Sequence, residues 1–222
     1  SRRRALQAQG ARLGGRIEAL SWAPDGRWLV VASNRRGTFD IYRVEVPSGE
    51  ATRLTEHTNY EVYPSVTPDG RVLYVRLNED WTDHEVVLTS GDGSGARVVL
   101  TDTDFFDYHY GRTFGYPMVS PDGRTFLFRS HRSGWINVWA APVDGNGAPR
   151  QVAAAEADQG DAAWSPDGRW IAYVENHDGT LELRVVAADG GEPRRLVTPE
   201  LGVVGGPAWS PDSRRIAYML AT

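Results

Sequence analysis

One segment recurs five times along this chain: LSWAPDGRWLVVAS from Leu20, YPSVTPDGRVLYVR from Tyr63, YPMVSPDGRTFLFRS from Tyr116, AAWSPDGRWIAYVE from Ala162 and PAWSPDSRRIAYML from Pro207. The aspartates of the motif are Asp25, Asp69, Asp122, Asp167 and Asp212, at spacings of 44, 53, 45 and 45. A period in the forties built from several short β-rich runs specifies a propeller blade rather than a helical solenoid. Pro presets its φ, Asp tolerates the next turn position, and Gly supplies the left-handed residue that closes a tight hairpin. Apolar residues precede each turn (Trp22, Val66, Val119, Trp164, Trp209), and a β-rich run follows it.

After that run each complete unit repeats a second turn and strand, a Gly-rich turn and a short closing strand such as ATRLT or PRRLV. The pattern predicts four antiparallel strands per unit, a to d from the centre outwards, in an all-β propeller formed by residues 1–222 as a single domain. Five units of this period fill the 222 residues. Five blades are expected, the last one shared: strands before Asp25 complete the unit that stops after its second strand at Thr222, which hides two open sheet edges; the alternative is a fragment of a six- or seven-bladed ring. One turn departs from the rest. Ser213 stands where the left-handed Gly is expected, at a cost on the order of 1 kcal/mol.

The run W-S-P-D-G-x-x-I-A-Y, followed by a Gly-x-x-x-Ile-Tyr type strand and a G-G-x-x-R-R-L-T type strand, resembles the WD-like repeat of the TolB family of β-propellers. The same repeat occurs in the propeller domains of prolyl-oligopeptidase-type peptidases. The resemblance implies a non-enzymatic scaffold that binds protein or peptide in the periplasm or at the cell envelope. The alternative it implies is an enzyme-associated propeller, either the gating domain of an oligopeptidase-like hydrolase or a glycan-binding or glycan-active protein.

Composition removes several chemistries. Cysteine is absent, and all 24 basic residues are Arg. Disulfides, thiolate catalysis, Schiff-base lysines and a phosphate-loop lysine are thus excluded. A net charge of −5 argues against a general nucleic-acid partner, and no apolar run is long enough to insert in a membrane. GDGSGA at Gly91 approximates a dinucleotide loop, but it joins two strands and opens no helix. No Gly-x-Ser-x-Gly elbow occurs. No catalytic residue, metal site or cofactor is expected, and the expected state is a monomer.

The longest spacing locates the candidate site. Unit two carries about eight extra residues in its d-to-a connection, TDTDFFDYHYGRTFGYP, residues 101–117. Asp104, Phe105, Phe106, Tyr108, His109 and Tyr110 lie there, with Asp102 and Asp107 interleaved; Tyr60 stands on the equivalent connection of the preceding unit. Rings on a rigid scaffold give contact area at low entropic cost, so this loop reads as a recognition surface. The competing reading packs the same rings into the central channel. The d-to-a and b-to-c connections share one face, to which Glu61, Glu156, Asp158 and Asp161 add negative charge, favouring a basic peptide; a carbohydrate stacked on the rings also suits it. Asp102, Asp104, Asp107 and His109 are metal-capable donors but lack the calcium-loop pattern. His84, His131 and His177 read as solvated b-to-c turn residues, and the motif aspartates as hairpin caps on the opposite face.

Overall fold

A computed structural model of the chain describes residues 14–78, 84–102, 117–198 and 203–221. The first sheet comprises β1 (Ile17–Trp22), β2 (Trp28–Arg36), β3 (Thr38–Glu45) and β4 (Ala51–Arg53). The second is β5 (Tyr60–Val66), β6 (Val72–Leu77), β7 (His84–Thr89) and β8 (Arg97–Asp102). The third is β9 (Met118–Val119), β10 (Thr125–Ser130), β11 (Asn137–Pro142) and β12 (Arg150–Gln151). The fourth is β13 (Asp158–Trp164), β14 (Trp170–His177), β15 (Thr180–Ala187) and β16 (Arg194–Val197). A two-stranded sheet, β17 (Val203–Trp209) with β18 (Ile216–Ala221), follows. Every pairing is antiparallel and each sheet is an uninterrupted meander, the blade pattern of a β-propeller.

No single core exists; each pair of successive sheets makes its own. Trp28, Val30 and Ile41 of the first sheet meet Val62, Val72 and Tyr74 of the second. Leu73, Val86 and Leu88 meet Phe126, Phe128 and Val143 of the third, and Leu127 and Val138 meet Ala162, Ile171 and Tyr173 of the fourth. Leu183 and Ala172 meet Val204, with Trp209 and Ile216 against them. Both faces of a second strand are therefore covered, which is why VLYVRL and WIAYVE read as near-continuous apolar runs instead of alternating. The outermost strands are largely exposed.

The motif turns are self-contained hydrogen-bond units. In the third, fourth and fifth copies the hydroxyls of Ser120, Ser165 and Ser210 donate to Asp122, Asp167 and Asp212 at 2.6 Å. The same aspartates accept the backbone N–H groups of Arg124, Arg169 and Arg214 at 3.1 Å. Thr67 replaces the serine in the second copy, its hydroxyl bonded to Asp69. In the first, Ala23 cannot, and Asp25 takes only the N–H of Arg27 at 2.9 Å. Ser213 does hold the left-handed conformation, φ 59°. Its hydroxyl accepts the N–H of Asp167 at 3.0 Å, tying two successive turns together.

A second device repeats along the chain, with no signal in the residue pattern of the turns. Six residues before the motif Asp, the innermost strand bulges through a left-handed residue: Ala19 (φ 52°), Tyr63 (φ 52°), Asp161 (φ 41°) and Gly206 (φ 57°). The register slips at each of these places, and such bulges bend a strand and re-aim its side chains. Innermost strands are then stitched across sheets. The indoles of Trp164 and Trp209 donate to the carbonyls of Met118 and Ala163 in the preceding sheet, both at 3.1 Å. Trp22, at the same repeat position, is 53% exposed, as are Ile17, Leu20, Tyr218, Met219 and Leu220 to similar degrees. These apolar groups mark the two ends of the sheet array. Residues 1–13, assigned by the sequence reading to closing strands, lie outside the described residues.

Two predictions follow from the turns. Ser213→Ala keeps the strained conformation and loses the bond to Asp167, so urea unfolding should show a loss of about 1 kcal/mol. Ser213→Gly loses the same bond but relieves strain of similar size, and should fall within about 0.5 kcal/mol of wild type. The serine hydroxyls also hold the Asp122, Asp167 and Asp212 carboxyls below the ordinary range, Asp167 at about 2. A depressed folded-state value stabilises above the unfolded value and is lost as pH falls through the folded one. The thermal midpoint should therefore drop between about pH 4 and pH 2, and replacing the three serines with Ala should flatten that drop.

Candidate functional site

The second-to-third strand turns and the connections between sheets share one face, as the meander requires. The long connection of the second sheet leaves this face at Asp102 and returns at Pro117. Asp104, Phe105, Phe106, Tyr108, His109 and Tyr110 lie outside the described residues; the base of the connection does not. Asp102 ends β8, is 4% exposed and accepts from Arg132 of the third sheet at 2.5 Å. The Arg132 guanidinium also lies over the rings of Phe128 and Trp139, at 5.3 and 5.0 Å from their centroids. Asp102, grouped with the metal-capable donors in the sequence, is thus an anchor between sheets. His84 pairs with Asp102 in the ladder and is buried as the first residue of β7. The expectation of a solvated turn fails for it, because the second-to-third strand connection ends one residue earlier. Among the other histidines, His131 is exposed in its turn, while His177 ends β14 with its Nε2 2.6 Å from Glu175.

Tyr60 opens β5 and is half-buried, its ring 6.5 Å from that of Phe39 in the first sheet. Only part of it is left for a partner. Glu61 beside it is fully buried and takes both Nε and Nη2 of Arg76, at 3.2 and 3.0 Å. It therefore adds nothing to the charge of the face, contrary to the sequence reading. The same inward neutralisation recurs. Asp40 pairs with Arg53 at 2.9 Å. Glu175 pairs with Arg184 at 3.1 Å, and Glu182 with Arg184 and Arg195 at 2.8 and 3.2 Å. Burial works to raise the Glu182 carboxyl, but the bonds from Arg184, Arg195 and Thr198 outweigh it and hold the group low. Burial pushes the hydroxyls of Tyr74 and Tyr173 up.

These polar groups occupy repeat positions. Fifteen residues after each of the first four motif aspartates stand Asp40, His84, Asn137 and Glu182, all buried. Superposing the repeat copies position by position exposes this column, whereas reading each unit for apolar periodicity passes over it.

Asp158 and Asp161 behave differently. Both belong to β13 and line an open cleft of about 640 Å³ between the third and fourth sheets, with Arg129, Ile136, Val174 and Leu181. Asp158 accepts the N–H of Ile136 at 3.0 Å, and Asp161 that of Gly206 at 3.0 Å. Each bond crosses a sheet boundary. Among the described residues no group of three or more His, Asp and Glu has the geometry to hold a metal ion, and no helix is long and apolar enough to cross a membrane.

Known proteins bearing the same architecture place it. The family profile "WD domain, G-beta repeat" matches residues 8–37. An uncharacterized protein of Agrobacterium fabrum is 33% identical over 122 residues, 51% of this chain and 40% of that protein. The Tol-Pal system protein TolB of Francisella tularensis is 25% identical over 128 residues, 58% of this chain and 28% of TolB. The crystal structure of TolB from Acinetobacter baumannii superposes with a TM-score of 0.70 at 20% identity, covering 91% of this chain and 48% of that one. The chain is a TolB-like β-propeller. It spans less than half the length of these curated relatives. The TolB-like propeller is also similar to dipeptidyl-peptidase 5 of Porphyromonas gingivalis, 30% identical over 157 residues, 65% of this chain and 22% of the peptidase.

The anchor gives a prediction. Asp102→Ala leaves a guanidinium, 23% exposed, without its carboxylate. Urea unfolding should register a loss of about 2 kcal/mol, less than for a fully buried pair because water still reaches Arg132.

Proposed function

We propose that this TolB-like propeller is a non-enzymatic scaffold that binds a protein or peptide through the face bearing residues 101–117, in the periplasm or at the cell envelope, as a monomer. The observation that carries the reading is the length and composition of one connection. Three of the four sheet-to-sheet connections are short, and the one that leaves the second sheet inserts a ring-rich, acid-rich segment at the same place. Asp102 and Arg132 tie its base to a rigid sheet, which supports a loop held for recognition. Tyr108 and Tyr110 are the aromatic anchors, Phe105, Phe106 and His109 enlarge the contact, and Asp104 and Asp107 select a basic partner. Tyr60, half-buried against Phe39, borders the surface. A glycan stacked on the same rings is the competing ligand.

The similarity to dipeptidyl-peptidase 5 favours a second reading, in which the propeller gates or positions peptide for a hydrolase unit. Here too the propeller binds peptide and supplies no catalytic group.

A pull-down from lysate of the source organism tests the first reading. Wild type should retain a protein that a Tyr108→Ala/Tyr110→Ala variant retains at least about tenfold less, with an unchanged melting temperature. Equal capture by both would overturn the recognition role and favour rings packed into the channel.

A further inference from the structure

The turn joining β11 to β12 carries a chemistry that neither reading of the propeller uses. Its sequence is VDGNGAP, residues 143–149. Third-to-fourth strand turns and motif turns share one side of a meander, so it stands on the face opposite the long connection. Of the six asparagines in the chain, Asn146 alone is followed by a glycine; the others precede Arg35, Tyr60, Glu79, Val138 and His177. A side chain on the following residue crowds the backbone nitrogen of that residue. Without one, the nitrogen can reach the asparagine carboxamide carbon and close a five-membered ring.

The backbone keeps that glycine in place. Gly147 has φ 154°, and a Cβ there would stand 3.2 Å from Cγ of Pro142. Asn146 and Gly147 are both exposed, and among the described residues no group accepts the Gly147 N–H. The nitrogen that would react is therefore open to water and carries no bond that must break first. The carboxamide does carry one. Asp144 accepts the backbone N–H of Asn146 at 3.0 Å through Oδ1, and the side-chain Nδ2 at 3.1 Å through Oδ2. Attack by the Gly147 nitrogen requires the second of these bonds to open. The Asp144 carboxylate also opposes loss of the amide proton, because a second negative charge would then form in the same turn. Asp144 cannot swing away with its backbone. Arg97 of β8 donates to its carbonyl at 2.8 Å, and Gly145 lies so close to β8 that a Cβ there would be 3.1 Å from Cα of Val99.

We infer that Asn146 is a site of spontaneous deamidation, slowed by Asp144. The Gly147 nitrogen gives its proton to solvent and attacks Cγ of Asn146. A nitrogen–carbon bond forms, and the carboxamide nitrogen takes up a proton and leaves as ammonia. Water then opens the cyclic imide, giving aspartate when it adds at Cγ and isoaspartate when it adds at the main-chain carbonyl. Either product places one new negative charge beside Asp144. The site lies apart from the ring-rich connection and does not depend on the scaffold reading.

Mass spectrometry of the full chain, aged at about pH 8 and 37 °C and then cut after Arg132 and Arg150, tests the inference on fragment 133–150. Wild type should gain about 1 Da, placed by fragmentation at Asn146 and not at the buried Asn137, with isoaspartate among the products. Asn146→Gln has a longer side chain that cannot close the same ring, and should show no gain. Asp144→Ala should react at least about fivefold faster than wild type, the effect of losing one hydrogen bond of ordinary net strength. Both variants change exposed residues and should melt as wild type does, so the rates compare folded proteins. The free peptide of residues 133–150 gives the rate of the unconstrained sequence. If wild type and Asp144→Ala both stay unmodified while that peptide is half converted, the site is overturned. Equal rates in wild type and Asp144→Ala overturn the role given to Asp144. Partner capture through Tyr108 and Tyr110, measured on Asn146→Gln, reports separately on the scaffold reading.

Discussion

Apolar contact between the faces of successive sheets is the interaction on which everything else here rests. A four-stranded meander of about 45 residues buries too little surface to stand alone. Each sheet is stable because a neighbour covers both faces of its middle strands. Val30 and Ile41 need Val62 and Tyr74, and Phe126 and Phe128 need Leu73 and Val86. The exposed Trp22 and Leu20 at one end of the array, and Met219 and Leu220 at the other, are the same faces without a described neighbour.

Packing of this kind says nothing about direction, and polar contacts supply it. The indoles of Trp164 and Trp209 reach back to the previous sheet, the Ser213 hydroxyl ties its turn to that of Asp167, and left-handed bulges recur in four of the innermost strands. Charged groups on the rim are mostly consumed the same way. An unpaired buried carboxylate is costly, so Glu61, Glu175 and Glu182 are matched by arginines, and the chain uses only Arg, whose forked donors bond two acceptors at once. Asp158 and Asp161 stand apart because they border an open cleft, where solvent removes that penalty.

A TolB-like propeller does not by itself declare an activity, since the repeat residues are architecture and the same architecture serves binding proteins and peptidases. What distinguishes this chain is where it departs from its own period. The 53-residue spacing puts a long connection on one face, and the Asp102–Arg132 contact ties the base of that connection to the scaffold.

Much of the fold was legible in the residues. The S-P-D-G turns, their spacing and the apolar runs between them specify local hairpins, and hairpins at that period leave the propeller as the economical arrangement. Local chemistry also foretold the left-handed residue at Ser213. The fate of individual polar side chains was not legible. Glu61 looked like surface charge and is buried on Arg76; His84 looked like a turn residue and is buried beside Asp102; Asp102 stood among the interleaved acidic residues of the long connection and is an anchor. Each outcome depends on a partner between fifteen and thirty residues away, on another strand or sheet. Sequence determined the strands, because turn geometry and apolar patterning act over a few residues. Tertiary structure decided which charges are spent inside and which line a cleft, because desolvation and pairing depend on neighbours that only the assembled sheets bring together.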